Sequence, residues 1–117
     1  ADFSEKREHK RHEFRQDIPS VWVGENGASH KMVTMRSTDI STGGMSLNAR
    51  SMVYKGQRGA VRLCIPGREP VVVGVEALHC RYAGEMRYVI GCRFNEAPEL
   101  LKNLRFVEKD GEIQAVW

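Results

Sequence analysis

Short runs in which hydrophobic and polar residues alternate fill most of this chain, and period-two alternation is the mark of half-buried β-strands. Val21-Trp22-Val23 leads into Asn26-Gly27, a strong short-range hairpin signal, and then into the β-prone stretch His30 to Met35. Met45 and Leu47 alternate with Ser46 and Asn48, and Val61, Leu63 and Ile65 alternate with Arg62 and Cys64. Beyond the turn pair Pro66-Gly67 comes Pro70-Val71-Val72-Val73-Gly74-Val75, a run that continues to about Tyr82. Ala83-Gly84-Glu85 turns the chain, and Tyr88 to Phe94 reads as the last strand of the set. Short strands with polar turns and no helices between them predict an all-β domain. The expected form is a six-stranded antiparallel, Greek-key-like barrel, because closing the sheet removes its edges.

The pattern then changes. From Pro98 to Glu108, Leu100, Leu101, Leu104 and Val107 recur at helical spacing, which predicts one C-terminal α-helix closing an end of the barrel. Asn95 is its expected N-cap, and Pro98 falls in the first turn, where proline is tolerated. After the Asp110-Gly111 turn, Ile113, Ala115 and Trp117 alternate, so the tail either adds a strand or frays. Ahead of the first strand, residues 1–15 have only Phe3 and Phe14 as apolar anchors. That predicts a flexible N-terminal arm ordered mainly by charge-assisted contacts. The expected organisation is a single domain with an arm (1–17), a barrel (18–96) and a helix with tail (97–117).

Composition narrows the chemistry. A chain of 117 residues with 41% hydrophobic content supports one core. No run approaches the ~18 apolar residues of a spanning helix, and the N-terminus has no signal-peptide core, so the expectation is a cytoplasmic protein without membrane insertion. Cys64, Cys80 and Cys92 lack paired metal or redox spacing and read as buried free thiols. His9 and His12 are spaced for a helix turn but lack further ligands nearby, so no metal site is expected. His79 and Cys80 would face opposite sides of a strand, which defeats a nucleophile and base pairing, and no enzymatic constellation is expected.

The net charge is +3. Lys6, Arg7, Lys10, Arg11 and Arg15 in the arm are offset by Asp2, Glu5, Glu8 and Glu13. The dense basic stripe of a non-specific nucleic-acid binder is missing, and Trp22, Tyr54, Tyr82 and Tyr88 are too scattered for a base-stacking platform. The arm suits a small anion, not a nucleic acid.

Two motifs carry the candidate chemistry. Arg11-x-x-x-Arg15 supplies two guanidinium forks, though three such pairs occur in this chain of 12 arginines and about one is expected by chance. Asp39-x-Ser41-x-x-Gly44 is rarer, with roughly 0.02 chance occurrences at this composition. An Asx or Ser turn explains it structurally. A ligand site explains it too: a carboxylate accepts from a guanine N1–H and N2–H edge, a serine hydroxyl reaches a base or phosphate oxygen, and Gly43 and Gly44 allow close backbone approach.

The order of these motifs, one ahead of the first strand and one between the second and third, resembles the PilZ domain family, bacterial receptors for cyclic di-GMP. Ile90-Gly91-Cys92-Arg93-Phe94 is similar to the family's closing strand, and the resemblance covers nearly the whole chain. It implies a barrel with a flanking helix, and an arm that closes over the dinucleotide and signals to an effector protein or attached domain. It implies that Arg11 and Arg15 grip phosphates and guanine faces, that Asp39 and Ser41 read a guanine, and that Gly44, with Gly43, shapes the turn. Lys10, just before the first arginine, implies binding of the ligand as an intercalated dimer. His79 and Arg81, two apart on one strand face, lie at the level where some members place a side chain over the bases. Arg93 has no assigned role. The resemblance implies cyclic di-GMP as the ligand and implies no cofactor. The rival is a PilZ-like protein-interaction adaptor that has lost the nucleotide; such members usually lack one motif, whereas this chain keeps both.

Overall fold

The computed structural model describes residues 10–26 and 30–117. Among the described residues nine strands follow in chain order: β1 (His12–Glu13), β2 (Asp17–Val23), β3 (His30–Ile40), β4 (Gly44–Ala49), β5 (Arg58–Leu63), β6 (Val71–Gly84), β7 (Arg87–Asn95), β8 (Arg105–Lys109) and β9 (Glu112–Val116). A one-turn 3-10 helix, Glu99–Leu101, precedes β8. The main sheet runs β1-β3-β2-β5-β6-β7-β4, and β4 pairs back onto β3. Six strands, β2 to β7, therefore form a closed antiparallel barrel in the places the alternation pattern indicated. The Asn26-Gly27 turn falls partly outside the described residues, as do residues 1–9 of the expected arm. From Lys10 onward the arm is described, and its residues His12 and Glu13 pair with Ile40 and Asp39.

The barrel interior is filled by alternate residues of its strands: Ile18 and Trp22 from β2, Met35 from β3, Met45 and Leu47 from β4, Val61 from β5, Val75 from β6, and Ile90 and Cys92 from β7. Trp22 keeps its indole inside because Nε1 donates to Ser20 Oγ at 3.0 Å, and that hydroxyl donates to the Val33 carbonyl at 2.7 Å. Ser20 is fully buried, so without this relay two polar groups would lie desolvated and unpaired.

The other face of β2 and β5 is apolar as well. Val21, Val23 and Ala60 point outward there and are covered by Leu101 and Leu104, flanked by Met32, Val72, Phe106 and Ala115. Covering this face is what the chain after β7 does, and it corrects the expected C-terminal α-helix: among the described residues none forms. Leu100, Leu101 and Leu104 bury their side chains from a 3-10 turn and the bend after it, while Val107 lies exposed in β8. Residues Arg105–Lys109 are drawn into a hairpin instead, closed by the Asp110-Gly111 pair, whose φ values of 53° and 79° are both positive, as a two-residue turn of type I′ requires. β8 and β9 pair around it, Lys109 opposite Glu112. Asn95 ends β7 and accepts the Glu96 N–H at 2.8 Å instead of capping a helix. The tail adds a strand, and its last residue, Trp117, meets the His30 ring edge-on with centroids 4.5 Å apart.

Candidate functional site

Two one-residue irregularities build the second outer face of the barrel. Along β3, Met35 and Ser37 face the interior, so strict alternation would send Asp39 inward too. The pairing with β4 shifts between Ser37, opposite Leu47, and Asp39, opposite Ser46, leaving Thr38 as an extra residue. This bulge turns Asp39 outward and Ile40 inward. A matching shift between Ala77 and His79 leaves Leu78 extra on β6 and turns His79 outward. The outcome is a continuous outer row across five strands: Glu13, Asp39, Ser46, Gly91 and His79 are successive cross-strand partners. From β3 to β6 that row spans three strand spacings, roughly 14 Å.

At one end of the row lies an ion pair. Arg11 Nη1 donates to Asp39 Oδ1 at 2.5 Å and to Ser46 Oγ at 3.2 Å. Both charged side chains are 32% exposed, so water screens the pair, and its contribution is about 1 kcal/mol or less. Arg15 is placed differently. Three residues, 14–16, stand where β3 has two between the β1 and β2 pairings, and buried Ser37 stitches them down: its Oγ donates to the Phe14 carbonyl at 2.5 Å and accepts the Gln16 N–H at 2.9 Å. The backbone at Arg15 is thereby held while its side chain, 60% exposed, pairs with Glu13 at 2.6 Å. The two arginines of the motif are thus brought to one face, one engaged with Asp39 and one reaching outward.

The turn between β3 and β4 shows what its small residues do. Ser41 Oγ accepts the backbone N–H groups of Gly43 and Gly44 at 3.2 and 3.3 Å, and Ser41 N–H donates to the Gly44 carbonyl at 2.9 Å. Ser41 therefore shapes the turn with the same hydroxyl the motif offers a ligand. Gly44 is required by the protein's own backbone: a Cβ there would stand 2.0 Å from the Cys92 carbonyl oxygen of β7. Beside the turn, Lys10, His12, Ile40, Ser41, Thr42, Leu63, Ile65 and Phe94 line a cleft of about 430 Å³. Its lining is mainly apolar with one cation, Lys10, and its volume falls within the size range of ligand pockets.

At the far end of the row, glycine again makes room. A Cβ on Gly91 would stand 2.2 Å from His79 Nε2, so the imidazole lies directly over the glycine backbone. Arg81, opposite Val89, projects outward one step further along β6. Arg93 sits opposite Gly44 on one side and Glu76 on the other, and its guanidinium turns to Glu76. Nε and Nη2 both donate to Oε1, at 3.1 and 2.8 Å, and Asn95 Nδ2 donates to the same atom at 3.0 Å. The hydrogen bond from Arg93 holds the Glu76 carboxyl below its usual range, against the opposing pull of desolvation.

Two participants escaped the reading of the sequence. Ser46 has a signal there, as the outward position between Met45 and Leu47, but its contact with Arg11 depends on the bulge at Thr38. Gly91 has none, since a glycine in a strand does not announce which side chain will cross it. Of the thiols, only Cys92 is fully buried; Cys64 and Cys80 are half-buried, and all three are free. Burial, with a smaller push from Cys80, raises the Cys92 thiol to about 12. Among the described residues no cluster of metal-ligating side chains occurs, and no helix is long and apolar enough to cross a membrane.

A family model described as PilZ domain matches residues 5–107. The fold is shared with the PilZ domain with c-di-GMP of YcgR from Escherichia coli, at 12% identity and a TM-score of 0.56, over 76% of this chain and 77% of that one. It is shared with the Bacillus subtilis inhibitor of motility MotI/DgrA, at 14% identity and a TM-score of 0.55, over 80% of this chain and 44% of that one. A K. pneumonia MrkH–c-di-GMP complex matches at 18% identity and a TM-score of 0.52, over 77% of this chain and 44% of that one. This chain thus spans less than half the length of the last two. No curated protein sequence matches it. Its barrel and the match over residues 5–107 place this chain in the PilZ domain family.

Proposed function

We propose that this domain is a receptor for cyclic di-GMP, bound on the open outer face between the arm and the row that ends at His79. The observation that carries the reading is the meeting of Arg11, Asp39 and Ser46 on that face, built from two motifs 28 residues apart at the pair itself. Two proteins of the same fold, the PilZ domain of YcgR and MrkH, are known with c-di-GMP, which supports the ligand assignment.

Arg11 and Arg15 grip the phosphodiesters, where a planar fork bonds two oxygens or stacks on a base. Asp39 and Ser41 read a guanine edge, while Gly43 and Gly44 keep the turn low against β7. Without ligand, Arg11 occupies the acceptor that guanine needs, so binding is an exchange. The exchange is favourable on magnitudes: a pair worth about 1 kcal/mol or less at this exposure yields to charge-assisted bonds worth roughly 1.5–3 kcal/mol each. His79, lying over Gly91, and Arg81 beside it line the far end of the ligand's path. Lys10 at the cleft rim meets the extra phosphate charge of an intercalated dimer. The arm closes over the dinucleotide, and the new surface signals to an effector protein or an attached domain; the domain works in the cytoplasm as a regulator and carries out no catalysis.

Isothermal titration with cyclic di-GMP, on the protein and on Arg15→Ala, tests the reading. The expected loss is about tenfold to a hundredfold. Equal affinities remove Arg15 from the site, and no binding by either protein favours the adaptor.

A further inference from the structure

We propose that Glu76 limits the affinity of this site by holding Arg93, a third arginine, away from the ligand. The inference rests on the receptor reading above and deepens it. Arg93 stands on the outer side of β7, directly between Gly44 of β4 and Glu76 of β6. Gly44 has no side chain, and the Phe94 N–H donates to the Gly43 carbonyl at 2.9 Å, which fixes the turn against β7 next to Arg93. A guanidinium swung that way moves toward the turn that faces the ligand in the receptor reading, one strand spacing, about 5 Å, from Gly44.

The guanidinium instead points at Glu76. One carboxylate oxygen, Oε1, receives Arg93 Nε, Arg93 Nη2 and Asn95 Nδ2. Arg58, opposite Glu76 on β5, adds a second positive charge beside the same carboxylate while its Nη2 donates to the Glu96 carbonyl. Glu76 is thus already supplied with donors by two residues, Arg93 and Asn95, and is the more buried partner, with 22% side-chain exposure against 56% for Arg93. The carboxylate stays fixed and the arginine head, half in water, is the member free to move. An ion pair this exposed is weak. A ligand bearing two phosphodiester charges competes for the guanidinium, and Glu76 competes back.

The experiment is a double-mutant cycle read by titration calorimetry with cyclic di-GMP, on the wild type, Glu76→Gln, Arg93→Ala and the double variant. Glutamine keeps a carbonyl acceptor for Asn95 while removing the charge. The expected result is affinity higher by about three- to tenfold in Glu76→Gln, reduced in Arg93→Ala, and no gain from Glu76→Gln once Arg93 is absent. Unchanged affinity in Glu76→Gln overturns the proposal, as does an equal gain in the Arg93→Ala background, which makes the effect one of net charge alone. If the wild type binds and loses affinity in Arg11→Ala while Glu76→Gln is neutral, the receptor reading stands and this inference falls. Melting temperatures within a few degrees of wild type show that each variant is folded.

Discussion

The barrel has two outer faces, and they have opposite fates. On the β2–β5 face, Val21, Val23 and Ala60 point outward and the chain spends its last twenty residues covering them. On the β3–β4–β7 face, the outward positions hold Asp39, Ser46, Gly91 and Arg93, met by the side chains of Arg11, His79 and Glu76 and not by an apolar layer. Both faces come from the same antiparallel ladder with the same spacing. What separates them is which residues occupy the outward positions, and on the second face, which way two bulges turn them. An apolar outer face is stabilised by burial and becomes structure; a polar face with side-chain-free glycines stays open to a ligand.

Substitutions on the covered face should therefore unfold the protein without touching the site. Leu101→Ala, at a residue 1% exposed, is expected to cost about 2–5 kcal/mol in urea unfolding, with ligand affinity of the folded fraction unchanged. A comparable loss of affinity would show that the faces are coupled and break the comparison. Gly44→Ala joins them by another route. A Cβ that meets the Cys92 carbonyl must push β4 from β7, so a cost of about 1–3 kcal/mol is expected together with loss of ligand binding.

Changes at Arg11 should show the reverse balance. Arg11→Ala removes a screened pair, so its stability cost is about 1 kcal/mol or less, while affinity for cyclic di-GMP falls about tenfold to a hundredfold. Smaller effects belong to titration. The Glu76 carboxyl is depressed in the folded state, so its contribution to stability is complete above its unfolded pKa and is lost as pH falls through its folded value. Thermal melts should accordingly lose less on acidification in Glu76→Gln than in wild type. The Cys92 thiol runs the other way: with its folded pKa raised to about 12, it stays protonated at pH 8. Thiol labelling at that pH should reach Cys64 and Cys80 well before Cys92.

The contrast between the faces also explains what was legible in the sequence. Strict alternation, as in Met45-Ser46-Leu47, states strand and orientation together, so β2 to β7 could be placed. The spacing of Leu100, Leu101 and Leu104 was ambiguous, because leucines that cover an outer barrel face from a 3-10 turn are spaced as a helix would space them. Asp110-Gly111 was recognisable as a turn, yet only the pairing of Phe106 with Ala115 makes it a hairpin. Both motifs were visible, and the structure brings Arg11 to Asp39. The bulges at Thr38 and Leu78 were not, since an extra residue is defined by the partner strand and leaves no mark in its own.

The central claim is that the open face binds cyclic di-GMP through an exchange in which Asp39 releases Arg11 and takes a guanine. Titration calorimetry of Asp39→Ala against wild type tests it most directly. The account predicts saturable binding by the wild type and an affinity lower by at least about tenfold in the variant, with both proteins equally folded. Equal affinity in the two, or no binding by the wild type, contradicts it.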